Sequence, residues 1–140
     1  MAEFEERWDR FRDLVEHLFR EPGRGSVGAD VLWYPATDAY ETERSFVIRM
    51  ELSGVRKEDV VVRMENDVVQ VRGIRLEQCP EGPRTYHRME IAVGPFVRGI
   101  RVPERFAGGE ASAAYRDGIL EITIGPRRRP GTRDLAIPID

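Results

Sequence analysis

The sequence is poor in residues that carry reactive or metal-binding chemistry. It contains one cysteine, Cys79, and two histidines, His17 and His87. A single cysteine excludes an internal disulfide and fits a reducing compartment. The histidines do not stand at metal-ligand spacing from each other or from Cys79, and neither a G-x-S-x-G elbow nor a Walker loop is present. We therefore expect no enzyme, no catalytic or metal-ligating residues and no cofactor.

Long apolar runs and an excess of positive charge are also missing. No apolar stretch approaches the roughly 20 residues that a membrane-spanning helix needs. The first six residues, MAEFEE, lack the basic start and apolar stretch of a secretion signal, so we expect a cytoplasmic protein. The net charge of −3 argues against a general nucleic-acid binder.

The 140 residues are enough for one domain with appendages, and the pattern divides them into three parts, 1–35, 36–125 and 126–140. The first part predicts an amphipathic helix that ends at Pro22-Gly23, followed by a glycine-rich linker. Packing of its apolar stripe on its own domain and burial against other chains or proteins are both consistent with the pattern. The stripe consists of Phe4, Trp8, Phe11, Leu14, Val15, Leu18 and Phe19.

The second part, 36–125, alternates apolar and polar residues as strands do. Breaks such as Ser53-Gly54 and the turn pair Asp117-Gly118 separate the segments. Many short strands with almost no helical periodicity predict an all-β protein, an immunoglobulin-like β-sandwich. The predicted strands begin near residues 39, 46, 60, 69, 86, 96, 111 and 120.

The third part ends on two isoleucines, Ile137 and Ile139, which flank Pro138. Residues two apart in an extended segment point to the same side, and the proline favours extended geometry before it. This predicts a tail that plugs a groove on a neighbouring copy, with a last strand folded back on its own domain as the alternative. Arginines 127–129 precede the tail among prolines and glycine, which indicates a solvated spacer rather than a nucleic-acid site.

Six segments, in order, resemble the signatures of the small heat-shock proteins, whose core is the α-crystallin domain. AAYRDGIL at 113–120 is similar to A-x-x-x-n-G-v-L, and FVRGIRVP at 96–103 is similar to F-x-R-x-f-x-l-P. The others are LSGVRKEDV at 52–60, NDVVQVRG at 66–73, YHRME at 86–90 and the I-x-I tail at 137–139.

This resemblance implies an ATP-independent holdase that assembles as oligomers of dimers. It implies that the tail enters a groove of a neighbour, that the loop 75–85 is exchanged between partners, and that the arm captures unfolding clients. By position, the groove would be Val60, Val62, Met64, Ala111, Ala113 and Tyr115. The dimer interface would include Arg75, Leu76, Tyr86 and Arg98. Clients would meet Phe4, Trp8, Phe11, Leu14, Leu18 and Phe19.

Arg98 also stands out without the resemblance, because it lies on the apolar side of its predicted strand and must find a carboxylate there. Two other functional classes remain. A monomeric CS-type co-chaperone would share the β-sandwich but would need neither the aromatic arm nor the I-x-I tail. A hydrolase on a sandwich scaffold would need a site that the sequence does not offer.

Overall fold

The structure, a computed structural model, describes residues 33–77, 81–128 and 135–140. The predicted helix and linker, Cys79 and residues 129–134 of the spacer lie outside the described residues. The described residues form eight strands, and a short 3-10 turn at Lys57–Asp59 precedes the third. The strands are β1 (Thr37–Glu41), β2 (Phe46–Glu51), β3 (Val60–Glu65), β4 (Val68–Arg75), β5 (Gly94–Arg101), β6 (Ala111–Arg116), β7 (Ile119–Ile124) and β8 (Leu135–Ile137).

The strands form two four-stranded sheets, in the orders β1-β2-β7-β6 and β5-β4-β3-β8, with antiparallel neighbours throughout. The prediction of an all-β sandwich is therefore confirmed. Alternate residues of each strand point between the sheets, which is why the sequence alternates. The core includes Phe46, Ile48, Met50, Val62, Met64, Val69, Val71, Phe96, Leu120, Ile122 and Ile124.

The turn between β6 and β7 follows directly from its residues. Asp117 and Gly118 adopt φ values of 52° and 80°, the left-handed pair that a two-residue hairpin requires. A side chain at Gly118 would also meet Ser53, because an added Cβ would lie 2.8 Å from the Ser53 Oγ. The predicted hairpin at this position is confirmed.

The predicted strand at 86–93 is wrong. Apart from bends at His87 and Ile91, this stretch has no regular secondary structure, and strand β5 begins only at Gly94. Met89 and Ile91 are 66% and 78% exposed instead of buried. A strand forms only where another strand accepts its backbone hydrogen bonds, and within the described part of the chain this segment pairs with none. The alternation of apolar and polar residues identifies a segment that is able to form a strand. It does not show whether another strand is available to pair with it.

Candidate functional site: the tail groove and the β4–β5 loop

A groove lies along the open edges of the two sheets. β3 borders it on one side and β6 on the other, and residues 135–140 occupy it. The side chains of Val62, Met64 and Ala113 are at most 3% exposed with the tail in place. The groove exists because each edge strand presents unpaired backbone groups beside the apolar interior of the sandwich.

The tail completes both sheets with backbone hydrogen bonds. β8 pairs antiparallel with β3, so that Ile137 lies opposite Val62. Beyond the proline, the Asp140 N–H donates to the Ala113 carbonyl over 2.8 Å, and the Tyr115 N–H donates to the Asp140 carbonyl over 2.9 Å. The tail thus changes from one sheet to the other at Pro138.

The two isoleucines are the apolar contacts of the tail, while Pro138 between them is exposed. Ile137 is 3% exposed and belongs to the core cluster, and Ile139 is half-buried against it. Leu135, two residues before Ile137, remains 40% exposed. The I-x-I sequence was expected to present both isoleucines to one side. The surface that receives them consists of Val62, Met64, Ala113 and Tyr115. Val60 and Ala111 lie at the far ends of the same strands, outside the residues that pair with the tail.

In this single chain the tail lies on its own strands. A last strand folded back on its own domain is the alternative to insertion into a neighbour. Insertion into a neighbouring copy stays a prediction.

Tyr115 has a role that sequence reasoning did not identify. Its hydroxyl lies 2.7 Å from the Leu52 carbonyl and 2.8 Å from the Val55 carbonyl, to which it can donate its one proton. This ties β6 to the connection between β2 and β3, next to the tail. Burial raises the pKa of the Tyr115 phenol above its ordinary value of 10. For these hydrogen bonds the sequence offers only one signal, a tyrosine followed by Arg116 at the end of a strand of otherwise small residues.

A second concave surface, of about 680 Å³, lies where β4 runs into the loop 76–93. The structure brings three predicted interface residues, Arg75, Leu76 and Tyr86, to its lining together with Met89 and Ile91. Four of these five are apolar or aromatic, and all four are at least 45% exposed. We call these five residues the loop groove.

Ion pairs and ring contacts hold the loop groove. The Arg75 guanidinium lies 4.0 Å from the centre of the Trp33 ring, and its Nη1 donates to the Ala92 carbonyl over 2.9 Å. Across the loop, Arg84 Nη2 donates to Glu77 over 2.9 Å, and the Tyr86 hydroxyl hydrogen-bonds to the same carboxylate. These exposed contacts are individually weak, so they position the loop without anchoring it rigidly.

Arg98 does not join the loop groove. It lies on β5 opposite Val71, half-buried on the apolar side as its sequence position predicts. Its Nε is buried and has no hydrogen-bond partner among the residues that the structure describes. A buried donor without an acceptor costs about 1–3 kcal/mol, more for a charged group.

Within 33–77, 81–128 and 135–140, no group of three or more His, Cys, Asp or Glu side chains could hold a metal ion. Over the same residues, no helix has the length and apolar character to cross a membrane.

Comparison with known proteins decides the family. The model of the Hsp20/alpha crystallin family matches residues 38–140. The chain belongs to this family. The resemblance read from the six segments is confirmed, and the family supports a chaperone role in the stress response.

The relatives of this Hsp20 chain match it over most of their own length. The "17.5 kDa class I heat shock protein" of Glycine max is 33% identical over 120 residues, which cover 84% of the chain and 74% of the relative. "Small heat shock protein C2" of Rickettsia felis is 27% identical over 127 residues, which cover 91% of the chain and 81% of the relative. Among solved structures, hspA from Xanthomonas axonopodis has a TM-score of 0.62 at 29% identity, covering 68% of this chain and 95% of that one.

Proposed function

We propose that this Hsp20-family protein is an ATP-independent holdase, which binds unfolding proteins and assembles from dimers into larger homo-oligomers through its tail. The observation that carries the proposal is the tail–groove contact. It consists of backbone hydrogen bonds to two sheet edges and two isoleucine side chains, and residues 135–140 supply them. Any groove of the same sequence, on this chain or another, offers the same contact.

The connection to the tail permits such an exchange. Seven peptide steps separate Arg128 from Leu135, which allows a reach of at most roughly 24 Å when extended. Exchange of an identical element between copies preserves every contact and changes only which chain supplies it. A small heat-shock protein from Xylella fastidiosa, 25% identical with a TM-score of 0.61, is described as having "a distinct high order structure", which supports self-association here.

The energy of the contact suits reversible assembly. Burial of a branched aliphatic side chain contributes about 1.5–3 kcal/mol before ordering costs. One tail is therefore a weak, exchangeable link, whereas several links acting together hold an oligomer.

The loop groove supports the dimer half of the proposal. Leu76, Met89 and Ile91 are exposed apolar side chains in a segment that pairs with no strand of the described residues. A second copy supplying a strand edge would bury them and satisfy the backbone. Exchange of the loop 75–85, and a carboxylate from the partner for Arg98, belong to the same proposal.

Client capture is assigned to the arm residues Phe4, Trp8, Phe11, Leu14, Leu18 and Phe19, which lie outside the described residues. Clients expose apolar surface of no fixed shape, so adaptable aromatic and aliphatic contacts suit them. We include in the proposal a cytoplasmic location, no catalytic activity and no nucleic-acid partner, on the grounds of the single cysteine, the absent motifs and the net charge of −3.

The test of holdase activity is light scattering of a heated client protein, with and without equimolar chain and without ATP. We expect slower scattering with the chain. Equal rates would refute the holdase. Native mass measurement tests assembly: Ile137→Gly with Ile139→Gly should leave dimers, whereas Leu135→Gly, at an exposed position, should leave the particle size unchanged. The same large particle from both variants would refute assembly through the tail.

A monomeric CS-type co-chaperone is the second candidate. The observation that favours it is the tail lying on its own strands, where it fills the groove between β3 and β6. Sedimentation over a hundredfold range of concentration separates the two functions. A constant monomer mass would support the co-chaperone.

A further inference from the structure

The tail groove and the loop groove meet at one turn of the chain. Residues 52–55 lie between β2 and the 3-10 turn that precedes β3, and we call them the shared turn. Its first and last residues, Leu52 and Val55, are buried in the core. Its two middle residues, Ser53 and Gly54, are exposed and line the cavity of the loop groove. The position of these two residues therefore sets part of the wall of that cavity.

The side chain of Tyr115 holds the shared turn. Its hydroxyl lies 2.7 Å from the Leu52 carbonyl and 2.8 Å from the Val55 carbonyl, one on each side of the two exposed residues. The Leu52 carbonyl also accepts the Val55 N–H over 3.0 Å, which closes the turn. Because a hydroxyl carries one proton, Tyr115 donates to one of the two carbonyls at a time and bridges the ends of the turn.

The backbone of the same tyrosine belongs to the tail groove. The Tyr115 N–H donates to the Asp140 carbonyl over 2.9 Å. Two residues earlier on β6, Ala113 accepts the Asp140 N–H over 2.8 Å and forms a bridge with Ile139. Tyr115 therefore contacts the tail through its backbone and the shared turn through its hydroxyl.

Polar contacts continue from the shared turn to Arg75 of the loop groove. The Ser53 N–H donates to the Glu51 carboxylate over 3.0 Å, and the Ser53 hydroxyl donates to the same oxygen. These two hydrogen bonds hold the pKa of the Glu51 carboxyl below its usual value, and the positive charge of Arg75 acts in the same direction. Glu51 and Arg75 both line the cavity, so the turn contacts the guanidinium that positions the loop through one carboxylate.

We propose that Tyr115 is a positioning residue that couples the two grooves, so that a tail seated on β6 strengthens the binding of a second copy at the loop groove. A seated tail gives the end of β6 a backbone partner on its open edge and restricts the Tyr115 backbone. The hydroxyl then stays on the shared turn, and the turn keeps the cavity wall in place. The coupling is reciprocal, so a bound second copy also strengthens the binding of the tail. The effect on a second copy rests on the proposed function, whereas the link from tail to shared turn stands on the contacts alone.

The core limits the size of the coupling. Leu52 is fully buried and Val55 is 4% exposed, so both ends of the shared turn are anchored without the tail. Only the two exposed residues between them shift when the hydroxyl leaves. We therefore expect a coupling of about fivefold in affinity, at the low end of the usual range.

A tail supplied as a separate peptide tests the coupling. The full chain with Ile137→Gly and Ile139→Gly has a groove that its own tail does not fill, and a synthetic peptide of residues 135–140 is added to it. We expect saturating peptide to lower the dimer dissociation constant, measured by sedimentation, about fivefold. With Tyr115→Phe in the same chain, the peptide should leave the dissociation constant unchanged. A peptide carrying both glycine substitutions is the control for non-specific effects.

Tyr40→Phe is the matched control for the loss of a phenol hydroxyl. Tyr40 lies on β1 and is 45% exposed, so this variant should keep the full response to the peptide. An equal response in Tyr115→Phe and in the chain that keeps Tyr115 would overturn the coupling, and so would the absence of a response in both.

Amide hydrogen exchange provides a second measurement, which needs no second copy. The Val55 N–H donates to the Leu52 carbonyl, and the Ser53 N–H donates to the Glu51 carboxylate, so both amides report on the shared turn. The peptide should raise their protection about fivefold in the chain that keeps Tyr115. In Tyr115→Phe it should protect the amide of residue 115, which shows that it binds, but not the turn. Protection of residue 115 without protection of Val55 in the chain that keeps Tyr115 would refute the link.

The two measurements separate this inference from the proposed function. If the chain stays monomeric at every concentration while the peptide protects the shared turn, the proposed dimer fails and the link from tail to turn stands. If dimers form and their dissociation constant does not respond to the peptide, the coupling fails and the dimer stands.

Discussion

Ile137→Ala tests the tail contact most directly. Ile137 is 3% exposed and lies opposite Val62, which is fully buried. Truncation of a buried isoleucine to alanine costs about 2–5 kcal/mol. The low end applies here, about 2–3 kcal/mol, because water can fill the space at an open edge. At about 1.4 kcal/mol per tenfold change, the equilibrium constant for tail binding should fall about 30- to 150-fold.

Amide hydrogen exchange measures this equilibrium constant without reference to oligomer size. The Tyr115 N–H donates to the Asp140 carbonyl, and the Asp140 N–H donates to the Ala113 carbonyl. Both amides lose their acceptors whenever the tail leaves, so their protection should fall by the same factor in Ile137→Ala.

The matched control is Leu135→Ala, at the same end of the tail but 40% exposed, where we expect a loss below about 1 kcal/mol. Ile139→Ala, half-buried, should lie between the two. If Leu135→Ala reduced protection of Tyr115 as much as Ile137→Ala, burial would not govern the contact and the reasoning would be wrong.

Further predictions concern the scaffold. Gly73→Ala should lower the free energy of unfolding by about 2–4 kcal/mol, because the added Cβ would lie 2.3 Å from the Phe96 ring. The control is Gly99→Ala, whose added Cβ would have its nearest contact at 3.6 Å and which should be almost neutral. Denaturant melts measure both. Tyr115→Phe should cost about 1–2 kcal/mol by removing the donor to two carbonyls. The pKa of Tyr115 is raised in the folded chain, so its contribution to the free energy of unfolding is constant below pH 10. Above pH 10 that contribution falls, because the tyrosine of the unfolded chain ionises first. A pH series of melts should therefore show a smaller alkaline loss of stability in Tyr115→Phe than in the parent. Arg98→Ala should reduce the oligomer mass and promote aggregation if a partner supplies its carboxylate; unchanged mass and unfolding midpoint would contradict that pairing.

The limits of sequence reasoning are clearest at three places. Tyr115 was assigned to the groove, but its hydrogen bonds to the loop after β2 depend on a distant turn that no local pattern encodes. The segment 86–93 alternates like a strand, yet strand formation needs a neighbour. Arg98 was placed correctly on the apolar side, but its Nε has no hydrogen-bond partner among the described residues.

The sequence alone determined the strands and turns that local chemistry controls. The alternation of apolar and polar residues determined which side of each strand faces the core. Asp117 and Gly118 determined a hairpin, because both adopt left-handed φ values. The tertiary structure alone decided which sheet edges remain open, that β3 and β6 border one groove, and that this tail can close it on its own chain. These depend on the pairing of strands far apart in sequence, which is set by backbone hydrogen bonding and packing of the whole sandwich.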